Sequence, residues 1–208
     1  MTRPIDDDRR ASPLRRVRRS PAWALFPPAA LGVILLLDLV RSAQRWPFPV
    51  VGVLDEPAHV LTAVLILIAL PVSRLQPLWG WALVGSVAID LDHIPLYVVG
   101  DVVAGAGGRP VTHSLVSVAA LLALAAAFPR TRVALAGLAL GVLLHFSRDV
   151  ATGPGLPLLW PLPGRVELPY SVYVGMLVLA TSAAVLLLVT RRTAPAFPSG
   201  SRRRDRWR

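Results

Sequence analysis

The apolar residues of this chain fall in long blocks, without the alternation of a half-buried strand or the one-sided stripe of a surface helix. Blocks approaching ~20 apolar residues are the length a helix needs to cross a bilayer core. Read this way, the pattern predicts six helices, at approximately Ala22–Val40, Glu56–Val72, Leu78–Val99, His113–Phe128, Val133–Phe146 and Tyr170–Val189. The second, fourth and fifth are short for a full crossing, so four to six of them span. The segments between are punctuated by Pro47, Pro49 and Pro57, by the Gly-rich stretch 100–112, and by a Gly- and Pro-rich loop over 147–169. Pro57 is expected in the first turn of the second helix, where a missing N–H costs nothing. The predicted fold class is all-α, a polytopic transmembrane helical bundle.

Composition agrees. The chain has 208 residues, 54% of them hydrophobic, and a mean hydropathy of +0.59, a balance that soluble domains rarely reach. The first apolar block runs into Val40-Arg41-Ser42-Ala43, without a clean small-x-small cleavage site, so it is expected to be a retained span. Residues 1–21 and 191–208 are polar and Arg-rich and are expected to be disordered tails around one membrane domain, 22–190.

The formal net charge is +10, and every basic residue is arginine. Dense clusters, such as Arg15, Arg16, Arg18 and Arg19 before the first span and Arg191 and Arg192 after the last, are expected to hold both termini in the cytoplasm and to touch anionic lipid. Nucleic-acid binding is not expected from clustered charge alone. There is no cysteine, which excludes disulfides and thiolate metal sites.

The remaining polar residues converge. His59 is expected near the start of the second helix, Asp90, Asp92 and His93 late in the third, His113 and Ser114 at the start of the fourth, and His145 with Asp149 at the end of the fifth. Because successive spans alternate direction, all these positions share one membrane face, the outer one if the termini are cytoplasmic. An ionisable group at membrane depth costs roughly 2.5–3.5 kcal/mol even on the lenient insertion scale, so such groups pair, line wet cavities or bind ions. Asp90 and His93 share a helix face by their i,i+3 spacing, and His145 and Asp149 by i,i+4. Asp92 points elsewhere unless the helix unwinds before Pro95. Each residue also has a blander reading: a hydrated helix end for Asp90, Asp92 and His93, a structural hydrogen bond for His145–Asp149, an interfacial ring for His59, capping near His113. Asp55 and Glu56 read as helix-dipole partners, and Asp38 as facing headgroups or Arg41. The set outweighs its members, because no histidine lies in the tails or on the other face. Imidazole with carboxylate suits a divalent metal: zinc first, manganese or iron as alternatives.

At these residues the chain resembles the YdjM-like family of bacterial inner-membrane, metal-dependent hydrolases. The resemblance rests on His59, an Asp-x-Asp-His element (Asp90, Asp92, His93), an Arg-x-x-x-His-Ser element (Arg109, His113, Ser114), and His145, Asp149, Thr152 and Gly155 in a His-x-x-x-Asp-x-x-Thr-x-x-Gly element. Where the family often has Arg-Gly, this chain has Arg109-Pro110. A looser similarity is to zinc-dependent phospholipase C and P1-type nucleases, although the later His-x-x-x-Glu pair is missing. The resemblance implies hydrolysis in the bacterial inner membrane, of a small or lipid-linked phosphoester, with metal ligands drawn from His59, Asp90, Asp92, His93, His113, His145 and Asp149. Asp92 is then the expected proton acceptor and Arg109 the expected clamp for substrate oxygens. A carrier for metal or protons, or a scaffold with a structural metal, are the competing readings.

Overall fold

Proline placement decides where the first helices begin. In the computed structural model, which describes residues 21–70, 72–94 and 109–193, a 3-10 turn at Pro21–Leu25 leads into α1, Phe26–Ser42, with proline in its first turn. Pro47 caps α2, Phe48–Ala69, in an extended conformation, and Pro49 occupies its first turn. That is where a proline removes no hydrogen bond. Pro57 is therefore an interior residue, and α2 starts at Phe48, not at the expected Glu56. The correction moves His59 about three turns into the helix, and it puts Asp55 on His59's face at i,i+4 spacing.

The next elements are shorter. A 3-10 stretch, Ser73–Leu78, precedes α3, Trp79–Ala88, and a second 3-10 stretch, Ile89–Asp92, follows it. The α-helix does not continue through Ile89–Asp92 but tightens there to 3-10 geometry; Pro95 itself and the rest of the predicted third span lie outside the described residues, as do 100–108 of the Gly-rich loop, 1–20 and 194–208. Helix α4, Leu115–Ala127, is only 13 residues long. Helix α5 runs Arg132–Thr152, past the expected end at Phe146. Its last polar turn reads as loop in the sequence, but Arg148 and Asp149 find partners inside the bundle. Ser147 and Thr152 return their hydroxyls to the carbonyls of Leu144 and Arg148, so neither hydroxyl is left unpaired in the turn. Helix α6 spans Tyr170–Thr193. Six α-helices are thus described, and four of them, α1, α2, α5 and α6, are long and apolar enough to cross a membrane.

Helix α5 is the centre. Its most apolar window is 56% buried, against 17, 33 and 28% for α1, α2 and α6. It packs on α3 and α4, while α2 bridges to α1 and α6. Ala30, Ile34, Ala58, Leu65, Tyr173 and Leu177 form the α1–α2–α6 core. Val118, Ala139, Val142 and Phe146 join α4 to α5. Large apolar side chains such as Leu36, Leu39, Leu122, Leu179 and Leu186 stay exposed on the outer surface, as a lipid-facing bundle requires. Between α3 and α5 the backbones nearly touch: a Cβ at Gly141 would collide with the Ala82 carbonyl oxygen, and one at Gly85 with that of Leu138. Small residues at a seam of this kind are the usual means of close helix approach in a membrane.

One buried arginine ties four elements. Arg148 on α5 is fully buried. It donates to Asp38 of α1 at 2.5 and 3.2 Å and to Asp55 of α2 at 2.7 and 3.2 Å. It also donates to the Tyr173 hydroxyl of α6 at 3.1 Å, and that hydroxyl lies 2.6 Å from Thr62 Oγ1. Tyr170 donates to Asp38 at 2.9 Å. This corrects two sequence expectations. Arg148 is not a loop cation, and Asp38 pairs with it across helices instead of meeting headgroups or Arg41, because Arg148 and Tyr170 take both of its oxygens. Arg41 reaches Asp55 at 3.6 Å and the Thr152 carbonyl at 3.1 Å.

Two stability measurements follow from this packing. Gly141→Ala is expected to cost about 1–3 kcal/mol, the usual range for overpacking. Thermal melting of detergent-purified protein should show the loss, whereas Gly80→Ala, whose added Cβ would meet nothing within 4 Å, should not lower the melting temperature. Arg148→Met strands two buried carboxylates and is expected to cost about 3–5 kcal/mol. Adding Asp38→Asn and Asp55→Asn should recover a large part of it. No recovery in the triple variant would mean that packing around the arginine stem, and not charge, holds the four helices.

Candidate metal centre

Four elements deliver nitrogen and oxygen to one place. His145 projects from the buried face of α5, one turn before Asp149. Asp90 and Asp92 come from the 3-10 turn after α3, where the tighter winding brings both carboxylates to the same ring, that of His113. His113 precedes α4; Ser114 is that helix's extended N-cap residue. Ligand atoms of Asp90, His113, His145 and Asp149 all lie within 4.8 Å of one another. Asp90 Oδ1 is 3.2 Å from His113 Nε2 and 3.4 Å from His145 Nε2. Asp149 Oδ2 is 3.7 and 3.0 Å from the same two nitrogens. Ligands at ~2.1 Å around a tetrahedral ion stand about 3.4 Å apart, so these spacings match the edges of such a site.

The far nitrogens of the two rings are held as metal-binding imidazoles usually are. His145 Nδ1 is 2.9 Å from the Ser86 carbonyl oxygen, an acceptor only, so this nitrogen carries a proton and Nε2 is the one turned to Asp90 and Asp149. His113 Nδ1 is 3.0 Å from Asp92 Oδ2. Thr112 donates to the same Asp92 oxygen. Asp92 thus orients His113, while its other oxygen lies 3.1 Å from His93 Nδ1. His93 also lies 3.4 Å from Asp90 Oδ1. These contacts make a second group, Asp90, Asp92, His93 and His113, able to hold an ion.

His59 completes the picture from α2. It stacks on His145 with ring centroids 3.9 Å apart and faces Asp149 Oδ1 at 3.3 Å and Asp55 Oδ2 at 3.9 Å. It is 1% exposed; Nε2 faces these two carboxylates, whereas Nδ1 has no hydrogen-bond partner among the described residues. A buried ring nitrogen without a partner is rare. Asp55, His59 and Asp149 form the third group of suitable geometry. The two oxygens of Asp149 therefore face different groups, as in a carboxylate shared between neighbouring sites.

Charge points the same way. Six carboxyl groups, Asp38, Asp55, Glu56, Asp90, Asp92 and Asp149, gather here against three guanidiniums, of Arg41, Arg109 and Arg148. Arg148 is committed to Asp38 and Asp55, and Arg109 binds Asp149 Oδ2 at 2.6 Å. Asp90 and Asp92 have imidazoles as their charge partners, a balance that ring protons or a metal ion can supply. The donor set is nitrogen and oxygen only, which fits zinc and equally the harder first-row ions.

All seven expected ligands, His59, Asp90, Asp92, His93, His113, His145 and Asp149, are brought together, and Arg109 lies among them. Sequence reasoning missed Asp55, Glu56 and the Ser86 carbonyl. Asp55 was findable from its i,i+4 spacing to His59, had the start of α2 been placed at Phe48. Glu56 lies beside Asp90 with Oε2 buried and unpartnered. The Ser86 carbonyl leaves no mark in sequence. Glu167 is exposed and pairs with Arg165.

The loop after α5 covers this end of the bundle. Leu156 and Val166 pair as an antiparallel bridge, and Leu158 accepts from the Leu115 N–H that opens α4. Gly155 turns the chain at φ +83°, a conformation side chains rarely adopt.

No curated protein and no solved structure matches the chain. A family model described as YdjM inner membrane protein matches residues 54–201. That stretch contains every candidate ligand and well over half of the sequence, so the chain belongs to the YdjM inner membrane protein family.

Proposed function

We propose that the protein is a membrane-embedded, metal-dependent hydrolase that acts on a phosphoester or lipid-linked substrate at the membrane surface. The observation that carries this reading is the spacing of His113 Nε2, His145 Nε2, Asp90 Oδ1 and Asp149 Oδ2 around one point at tetrahedral edge lengths. A divalent ion there, zinc for preference, would supply Lewis acidity and lower the pKa of a coordinated water towards about 7.

The chain's own residues do the rest. Asp90, His113, His145 and Asp149 hold the ion. Ser86 and Asp92 fix the two rings in the tautomer that leaves Nε2 free. Asp92 Oδ1, 3.1 Å from His93 Nδ1, is the carboxylate oxygen not bound to His113 and can take a proton. The Arg109 guanidinium, already directed into the centre by Asp149, matches the oxygens of a phosphoester bidentately. His59 and His93 stand ready for a second ion or orient the first. The site lies at the ends of α3 and α5 and before α4, so a substrate anchored in lipid can reach it without leaving the bilayer. The arginine clusters of the tails support cytoplasmic termini and an outward-facing centre.

Metal analysis of detergent-purified protein is expected to give at least one ion per chain, and His145→Ala should lose it. Asp92→Asn should retain the ion at ~10- to 100-fold weaker affinity, the range for groups that orient a metal-bound histidine. Hydrolysis of a lipid phosphoester should fall with both changes. Full activity in the combined His113→Ala, His145→Ala variant would remove the assignment, and metal uptake into proteoliposomes without hydrolysis would make the protein a carrier. Orientation is open to a clean test because the chain has no cysteine. A single Gly164→Cys variant should react with an impermeant thiol reagent added outside intact spheroplasts; protection there would invert the topology.

A further inference from the structure

The end of α1 borders a groove that the metal centre does not use. It has a volume of about 1030 Å3 and runs between the last two turns of α1, the connector to α2 and the C-terminal turn of α5. Leu35, Leu39, Val51 and Ala151 make an apolar wall, and Arg41 and Arg45 lie at its polar end beside Trp46. Leu39 is 66% exposed on the outer surface of α1, so the wall is continuous with the lipid-facing side of the bundle.

The charge in this groove does not cancel. Asp38 also lines it, but that carboxylate is consumed by Arg148 and Tyr170. Arg41 leans on Asp55 at 3.6 Å, long for an ion pair, and gives one N–H to Thr152. Arg45 is exposed and has no carboxylate partner among the described residues. Unneutralised guanidinium above an apolar wall, at the level of an interfacial tryptophan, matches the two halves of a lipid with an anionic head.

We infer that this groove seats one anionic phospholipid, its phosphate against Arg41 and Arg45 and an acyl chain along Leu35 and Leu39. Asp55 links the groove to the metal centre: its Oδ2 lies 3.6 Å from Arg41 and 3.9 Å from His59. That the seated lipid is the substrate rests on the hydrolase reading; that it binds does not.

Native mass spectrometry of the detergent-purified full chain tests this, with phosphatidate, phosphatidylcholine and inorganic phosphate as probes. The wild type is expected to retain one phosphatidate in preference to the zwitterionic lipid. Arg45→Gln should weaken retention roughly tenfold, as loss of a charge-assisted contact does. Leu39→Trp, which fills the groove from its exposed wall, should do likewise, and both variants should keep the metal content of the wild type. Unchanged phosphatidate retention in either variant, equal retention of phosphatidylcholine, or displacement by inorganic phosphate at the lipid's own concentration would overturn the proposal. The two readings fail separately. Arg45-dependent retention without any hydrolysis removes only the hydrolase, and hydrolysis with Arg45-independent retention removes only the groove.

Discussion

A charge inside a bilayer has to find an opposite charge inside the protein, and in this chain that rule organises the bundle. Arg148 is the clearest case. A guanidinium with no exposed surface, on the most buried helix, draws Asp38 from α1, Asp55 from α2 and a tyrosine hydroxyl from α6. The four long helices are thereby held at one level by directional contacts, which apolar side chains in lipid cannot provide, since hydrocarbon solvates leucine as well as another helix does. Asp55 then carries the order forward, because its second oxygen faces His59 in the neighbouring cluster.

The cluster itself is the same rule with the cation left to the environment. Two imidazoles turn Nε2 to the same Asp90 oxygen, and a third ring is buried with Nδ1 unpartnered. Such an arrangement is costly to fold around nothing. Holding an ion would offset that cost, and the family to which the chain belongs is one of inner membrane proteins.

The bundle was readable from the chain because lipid-facing helices must be apolar all round, and the convergence of the histidines was readable because consecutive spans reverse direction. What was not readable depended on partners far away in sequence. The polar turn Ser147–Asp149 looks like the end of a helix, and only Asp38, more than a hundred residues earlier, makes it an interior turn. The run of prolines before α2 offered several starting points, and choosing Pro57 hid Asp55. Whether Asp92 joins Asp90 was open in the sequence, because an α-helical turn separates them; the 3-10 turn Ile89–Asp92 brings both to His113.

The glycine seam between α3 and α5 also has a mechanical side. Where carbonyls of one helix nest in the hollows of another, neither can slide lengthwise without climbing over its neighbour, and the imidazole of His145 is latched to the Ser86 carbonyl across that same seam. The back wall of the chamber is therefore stiff. The remaining neighbours of the cluster, Arg109, the bridged loop after α5 and the stacked ring of His59, meet it with side chains and a loop, which can shift more easily than that seam.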